Sequence, residues 1–122
     1  MPEYLVPGVD EDLNRKNILA MDFLNGVPIE SLTTATQTTR DRVIKLLLEL
    51  LFRELFVFGM IQTDPNFANF LYNNTTRQVE LLDFGATRHY PAAVIEAYRG
   101  LLRAALREDH AAMSESAEAI GY

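Results

Sequence analysis

The sequence contains no cysteine and no tryptophan, only two lysines, Lys16 and Lys45, and only two histidines, His89 and His110. Each scarcity excludes a class of function. Without cysteine there is no disulfide framework, no thiolate metal site and no cysteine nucleophile, which is consistent with a reducing compartment. Seventeen acidic residues against eleven basic ones give a formal net charge of −6. That balance excludes a nucleic-acid binder, because neutralising a phosphate backbone requires clustered Lys and Arg. The histidines stand too far apart to build a metal site and read as surface or helix-end residues. An uncharged apolar run of membrane-spanning length is also lacking. The most apolar stretch, residues 43–61, is interrupted by Lys45, Glu49, Arg53 and Glu54, so it reads as a soluble helix rather than a span. No secretory signal precedes the first polar cluster.

What is present suits one globular domain of 122 residues with 48% hydrophobic content. Residues 1–16 carry Pro2, Pro7, Gly8 and the run Asp10-Glu11-Asp12, which predicts an irregular lead-in with a short strand at residues 4–6. The apolar run over residues 17–23 predicts a strand, ended by the turn signal Asn25-Gly26. A short helix is expected from Pro28, followed by a threonine-rich connector. A long helix is predicted over residues 39–58, capped by Thr38 or Thr39 and stopped by Gly59. Val43, Leu46, Leu47, Leu50, Leu51 and Leu55 mark one face, and Ile44, Leu48, Phe52, Phe56 and Phe58 extend it most of the way round. Such a helix is expected to be buried on nearly all sides. Pro91 should open a helix to about residue 107, and Asp109 should cap a last one stopped by Gly121. The fold class expected is α+β and mainly helical.

Residues 62–85 are the densest in chemistry. Asp64 and Asn69 lie five residues apart, and Asp83 opens the triplet Asp83-Phe84-Gly85. Between them, residues 69–72 and 78–82 predict two strands joined by an Asn- and Thr-rich loop, a hairpin that carries Asn69 towards Asp83. This is the spacing of a kinase catalytic loop followed by its metal-binding triplet. Phosphoryl transfer asks for a carboxylate beside the attacking hydroxyl and for oxygen donors that hold magnesium against phosphates. The same residues also admit a plainer reading, with Asp64 as a turn former before Pro65, Asn69 as a strand-edge cap and Asp83 as a turn starter before Gly85. Arg88 can pair with a phosphate, with Asp64 or with a surface carboxylate. Phe67, Phe70 and Phe84 read as packing residues, and Glu115 and Glu118 as a solvated face.

Residues 58–90, with Gln62-Thr63-Asp64-Pro65-Asn66 and Asp83-Phe84-Gly85-Ala86-Thr87-Arg88, resemble the UbiB (ADCK/AarF) family of atypical kinases. They are most similar to the branch that supports coenzyme Q (ubiquinone) biosynthesis, and the resemblance extends from about Val6 to Tyr98. It implies a protein-kinase-like C-lobe with hinge and hairpin. It also implies Asp64 as the catalytic aspartate, Asn69 and Asp83 as magnesium ligands, and Met21, Asp22, Phe23 and Leu24 as the hinge beside the adenine of ATP. Residues 1–26 would then be lead-in and hinge, and residues 27–122 the helical lobe. Gln62 and Thr63 stand where ordinary protein kinases carry His and Arg, a departure typical of this branch. The glycine- or alanine-rich phosphate loop, the nucleotide lysine and the Lys-x-Gly-Gln segment of the family have no counterpart in these residues, so little catalysis is expected from them alone. The chain reaches Pro91 only eight residues after Asp83, too few for a long activation segment, which favours a small-molecule or lipid-related substrate, or ATP hydrolysis, over protein phosphorylation. By the same resemblance the protein would be mitochondrial, on the matrix side of the inner membrane, or cytoplasmic if bacterial. It would act with a lipid or a quinone-pathway complex. The rival readings are an aminoglycoside- or choline-kinase-like phosphotransferase, which usually shows His-Gly-Asp in place of Gln62-Thr63-Asp64, and a non-catalytic module that works through partner contacts.

Overall fold

The computed structural model describes residues 1–63 and 66–122. The chain groups into two compact units. One comprises Met1–Leu48 with the described residues of 64–85, and the other comprises Glu49–Thr63 with Ala86–Tyr122.

The first unit is built on a four-stranded sheet in the order β1-β5-β4-β2, formed by β1 (Tyr4–Leu5), β2 (Val27–Pro28), β4 (Phe70–Asn73) and β5 (Gln78–Leu81). The expected hairpin is its centre, with β4 and β5 antiparallel in the register Phe70↔Leu81 to Asn73↔Gln78. Its loop closes through the Asn73 side chain, whose Oδ1 accepts the amides of Thr75 and Thr76 at 3.0 and 3.1 Å. Asparagine is favoured in such turns because its short amide imitates a backbone acceptor. β1 adds in parallel to β5, and β2 antiparallel to β4. Val79 is fully buried at the middle of the sheet, opposite Tyr4 on one side and Tyr72 on the other. Tyr4, Leu24, Leu32, Val43, Leu46, Phe70, Tyr72 and Leu81 complete the core of this unit.

Residues 17–23 do not form the expected strand. They are the return limb of an irregular loop held by backbone bonds from Asp10 N to Ala20 O and from Asp22 N to Gly8 O, both 2.9 Å, with isolated bridges at Val9↔Met21 and Arg15↔Ile18. Ile18, Leu19 and Phe23 are exposed. A short apolar run becomes a strand only where a neighbouring strand supplies a full ladder, and here each partner is irregular. A 3-10 helix at Ile29–Thr34 takes the place of the short helix expected after Pro28.

Helix α1 (Gln37–Arg53) begins two residues earlier than the sequence predicts, because Thr36 caps it in place of Thr38 or Thr39: its Oγ1 accepts the Thr39 amide at 3.2 Å. Within the first unit the Tyr4 hydroxyl donates to Leu46 O at 2.8 Å and so pins α1 to β1. A π turn at Glu54–Phe58 continues the helix, and Gly59 stops it at φ +67°, where a side chain is strained. The expectation of burial on nearly all sides does not hold. Val43, Leu46, Leu50 and Leu55 are buried, whereas Ile44, Leu48, Leu51, Phe52, Val57 and Phe58 are exposed. Among the described residues no helix is long and apolar enough to cross a membrane.

In the second unit β3 (Met60–Gln62) pairs antiparallel with β6 (Thr87–His89), and α2 (Ala92–Leu106) packs on α3 (His110–Ile120). The helices approach closely at Gly100, where an added Cβ would lie 2.9 Å from Ser116 Oγ. Asp109 caps α3 through the Ala112 amide at 3.0 Å, and Gly121 ends it at φ +105°, both as expected from the sequence. The Phe52 and Phe56 rings stack at 6.1 Å, and the Arg99 guanidinium lies 5.3 Å over Phe56.

Glu54 opens the π turn and accepts the Gln62 amide at 3.5 Å. Burial raises its carboxyl above the ordinary value of 4.5, and the Gln62 bond offsets this only in part. The folded chain therefore holds the proton more tightly than the unfolded one, and the contribution of Glu54 to stability falls as pH rises from 4.5 through the raised value. Glu54→Gln should raise the melting temperature at neutral pH, with the gain vanishing below about pH 4. Thermal melts across a pH series check this; a gain that does not change with pH would contradict it.

Candidate phosphate and metal site

The strand pair β4/β5 positions two of the predicted site residues. Asn69 is the last residue of a 3-10 turn, Phe67–Asn69, that leads directly into β4. The turn is capped by Asn66, whose Oδ1 accepts the Ala68 amide at 3.0 Å, and Asn69 N donates to Asn66 O at 2.9 Å. The sheet then extends one rung past the strands, because Leu82 N donates to Asn69 O at 3.0 Å. Asn69 and the start of the Asp83-Phe84-Gly85 triplet are thus neighbours at the open end of the hairpin, as the sequence led one to expect. Asp83 is exposed, and its Oδ1 accepts the Gly85 amide at 2.7 Å, an Asx turn that fixes the carboxylate's direction. An added Cβ at Gly85 would lie 3.1 Å from that oxygen, so glycine suits the close return.

The hinge candidates lie in the same unit. Leu24 is buried, Met21 is exposed and Phe23 is 87% exposed. The Asp22 side chain accepts the Gly8 amide at 3.0 Å and closes the 8–22 loop, so its carboxylate has a structural task. Asp64, the predicted catalytic aspartate, lies outside the described residues. In the second unit the segment just before it is zipped to the segment just after the triplet. Gln62 pairs with Thr87, and Thr63 donates to Ala86 O through its amide at 3.0 Å and its hydroxyl at 2.8 Å.

Chemically, an amide oxygen and a carboxylate at one end of a hairpin are hard donors, suited to a cation such as magnesium that keeps several of its waters. Among the described residues no group of three or more His, Cys, Asp or Glu side chains converges as a metal cage. Two donors beside bound phosphates are the usual magnesium arrangement, so the residues present fit it. A hollow of the first unit lies elsewhere. It is a cavity of about 270 Å³ lined by Ile29, Glu30, Leu32, Thr33, Arg40, Val43, Ile44, Leu47 and Phe67, and it includes neither Asn69 nor Asp83. The Arg40 guanidinium there is spent on Thr33 O, Ala35 O and Gln37 Oε1.

One polar residue escaped the sequence reading. Glu80 is 1% exposed, the only buried charged side chain among the described residues, and it accepts bonds from Gly26 N at 2.8 Å and Asn73 Nδ2 at 2.9 Å. In the run Gln78-Val79-Glu80-Leu81 simple alternation puts Glu80 outward. The nearest available signal was the turn Asn25-Gly26, where a glycine allows a close approach.

Residues 1–117 match the ABC1 atypical kinase-like domain. The chain belongs to that family. It is 36% identical over 121 residues to the atypical kinase COQ8B, mitochondrial, of Danio rerio, covering 99% of this chain and 19% of that protein. It is 38% identical over 121 residues to the atypical kinase COQ8, mitochondrial, of Saccharomyces cerevisiae, covering 99% of this chain and 24% of that protein. The chain therefore spans about a fifth to a quarter of these curated relatives. Among solved structures it superposes on Rv3197 of Mycobacterium tuberculosis, determined with erythromycin, at a TM-score of 0.73 and 22% identity, over 94% of this chain and 29% of that one. The fold is accordingly α+β and kinase-like, and the resemblance to the UbiB/ADCK family holds over nearly the whole chain.

Proposed function

We propose that these residues form the C-lobe portion of an atypical kinase or ATPase that binds ATP with magnesium and supports coenzyme Q biosynthesis. The observation that carries this reading furthest is the Leu82–Asn69 backbone bond, which joins an amide oxygen donor to the Asp83-Phe84-Gly85 triplet at one end of a hairpin. In this reading the Asn69 and Asp83 side chains hold magnesium, which neutralises phosphate charge when bound. Asp64 orients the attacking hydroxyl or water and accepts its proton. The backbone of Met21, Asp22, Phe23 and Leu24 meets the adenine, with Phe23 exposed beside it. The rest of the nucleotide cleft would come from chain outside these residues, as in relatives four to five times longer. The short path from Asp83 to Pro91 supports a small-molecule or lipid-related substrate, or ATP hydrolysis. The names of the relatives support mitochondrial residence and a quinone-pathway setting.

Asp64→Asn in the full-length protein tests the reading. ATP turnover should fall roughly 10²–10⁴-fold, the usual contribution of a positioned base, with ATP affinity nearly unchanged. Unaltered turnover would remove Asp64 from the mechanism. A second reading, a non-catalytic module acting through partner contacts, draws on one observation: the exposed apolar residues Ile44 and Leu48 of α1 in the first unit. The aminoglycoside- or choline-kinase-like alternative shares the general fold but not the Gln62-Thr63-Asp64 sequence.

A further inference from the structure

The carboxylate of Glu80 joins two segments that the nucleotide reading assigns to opposite ends of one ligand. One of its oxygens takes the amide of Gly26, two residues beyond Leu24, and the other takes the side-chain amide of Asn73 in β4. Asn73 cannot turn its own oxygen towards Glu80 without breaking the hairpin loop, because that oxygen holds the amides of Thr75 and Thr76. Glu80 therefore faces two fixed donors, and only a group with two acceptor oxygens satisfies both. The approach is tight. An added Cβ at Gly26 would lie 2.7 Å from the Glu80 oxygen and 2.8 Å from Leu71 Cβ, so the segment rests directly on the ladder. The chain then passes into β2, which pairs Val27 with Tyr72.

Burying a carboxylate without a cation is costly, and an apolar β-branched residue would fill this place in β5 at less expense. What the carboxylate adds is a fixed spacing. From Gly26 the backbone runs two residues back to the hinge candidates, and β4 and β5 run to Asn69 and Asp83 at the open end of the same ladder. We propose that Glu80 is a positioning residue that sets the distance between the adenine-side segment, residues 21–24, and the metal- and phosphate-side pair Asn69 and Asp83. This inference rests on the nucleotide reading above, yet it makes a separate demand: adenine recognition and phosphate binding are coupled through Glu80.

The test compares the affinities of Mg-ATP and Mg-tripolyphosphate, which carries the chelated phosphates without the nucleoside, for the full-length protein. Glu80→Gln turns an amide towards one of the two donors and leaves that donor unsatisfied. The advantage of ATP over tripolyphosphate should fall about tenfold or more, with tripolyphosphate affinity retained. In the double variant E80Q/N73D the introduced amide donates to the introduced carboxylate, which still accepts Thr75 and Thr76, so the ATP advantage should return. Gly26→Ala, whose added methyl pushes the segment off both the ladder and the Glu80 carboxylate while leaving the Glu80–Asn73 bond in place, should reproduce the loss and decides the matter if E80Q does not fold. An unchanged ratio, an equal loss of both ligands, or no rescue by E80Q/N73D overturns the positioning role while leaving the nucleotide reading intact. A wild-type protein that binds neither ligand overturns both.

Discussion

Asp83→Asn should weaken magnesium-dependent ATP binding by the full-length protein by at least ~100-fold and leave its melting temperature nearly unchanged. The size follows from the chemistry: loss of an outer-shell partner alone typically costs 10–100-fold in metal affinity, and a direct anionic ligand counts for more. The selectivity follows from the structure. Asp83 is exposed, and the Gly85 amide that its Oδ1 accepts would be accepted equally by an asparagine oxygen. The substitution therefore removes charge from the site and keeps the Asx turn. Calorimetric titration paired with a thermal melt separates the two effects. A fall in melting temperature as large as that of a core substitution would mean that Asp83 is a structural residue, as the plainer reading of the turn holds.

The second large effect comes from the sheet that carries the site. Tyr72 is 3% exposed in β4, opposite Val79 and beside Val27 of β2. Tyr72→Ala should cost about 3–5 kcal/mol, as large-aromatic-to-alanine changes in packed cores do. Against a total of about 5–15 kcal/mol for a domain, that loss leaves the first unit marginal. Because β4 and β5 hold Asn69 and Asp83 together, this variant should lose folding and ligand binding in parallel, where D83N loses binding alone. Urea denaturation followed by circular dichroism gives the stability change directly. A cost under about 1 kcal/mol would show that the sheet is not the support assigned to it here.

Much of this was legible in the residues. Gly59, Asp109 and Gly121 punctuate the helices where capping chemistry says they should, because a left-handed stop or an N-cap is a local event that needs no partner. The hairpin at residues 70–73 and 78–81 was legible for the same reason, with Asn73 and its neighbours dictating the turn. What failed depended on partners. The apolar residues of α1 identify a helix but not what covers it, and Ile44, Leu48 and Phe52 stand exposed. Residues 17–23 are apolar enough for a strand, yet without a regular neighbour they settle as a loop limb. Glu80 was invisible because alternation along β5 says nothing of a glycine 54 residues away that descends on it. Within the candidate site, adjacency of Asn69 and Asp83 followed from hairpin register, whereas the contribution of Glu80 follows only from tertiary contact.

The most direct measurement of the central claim is a calorimetric titration of ATP into the full-length protein, with and without magnesium. If Asn69 and Asp83 form a phosphate and metal site, ATP should bind with magnesium present and bind far more weakly without it. Absence of binding in both conditions, or binding indifferent to magnesium, would contradict the account.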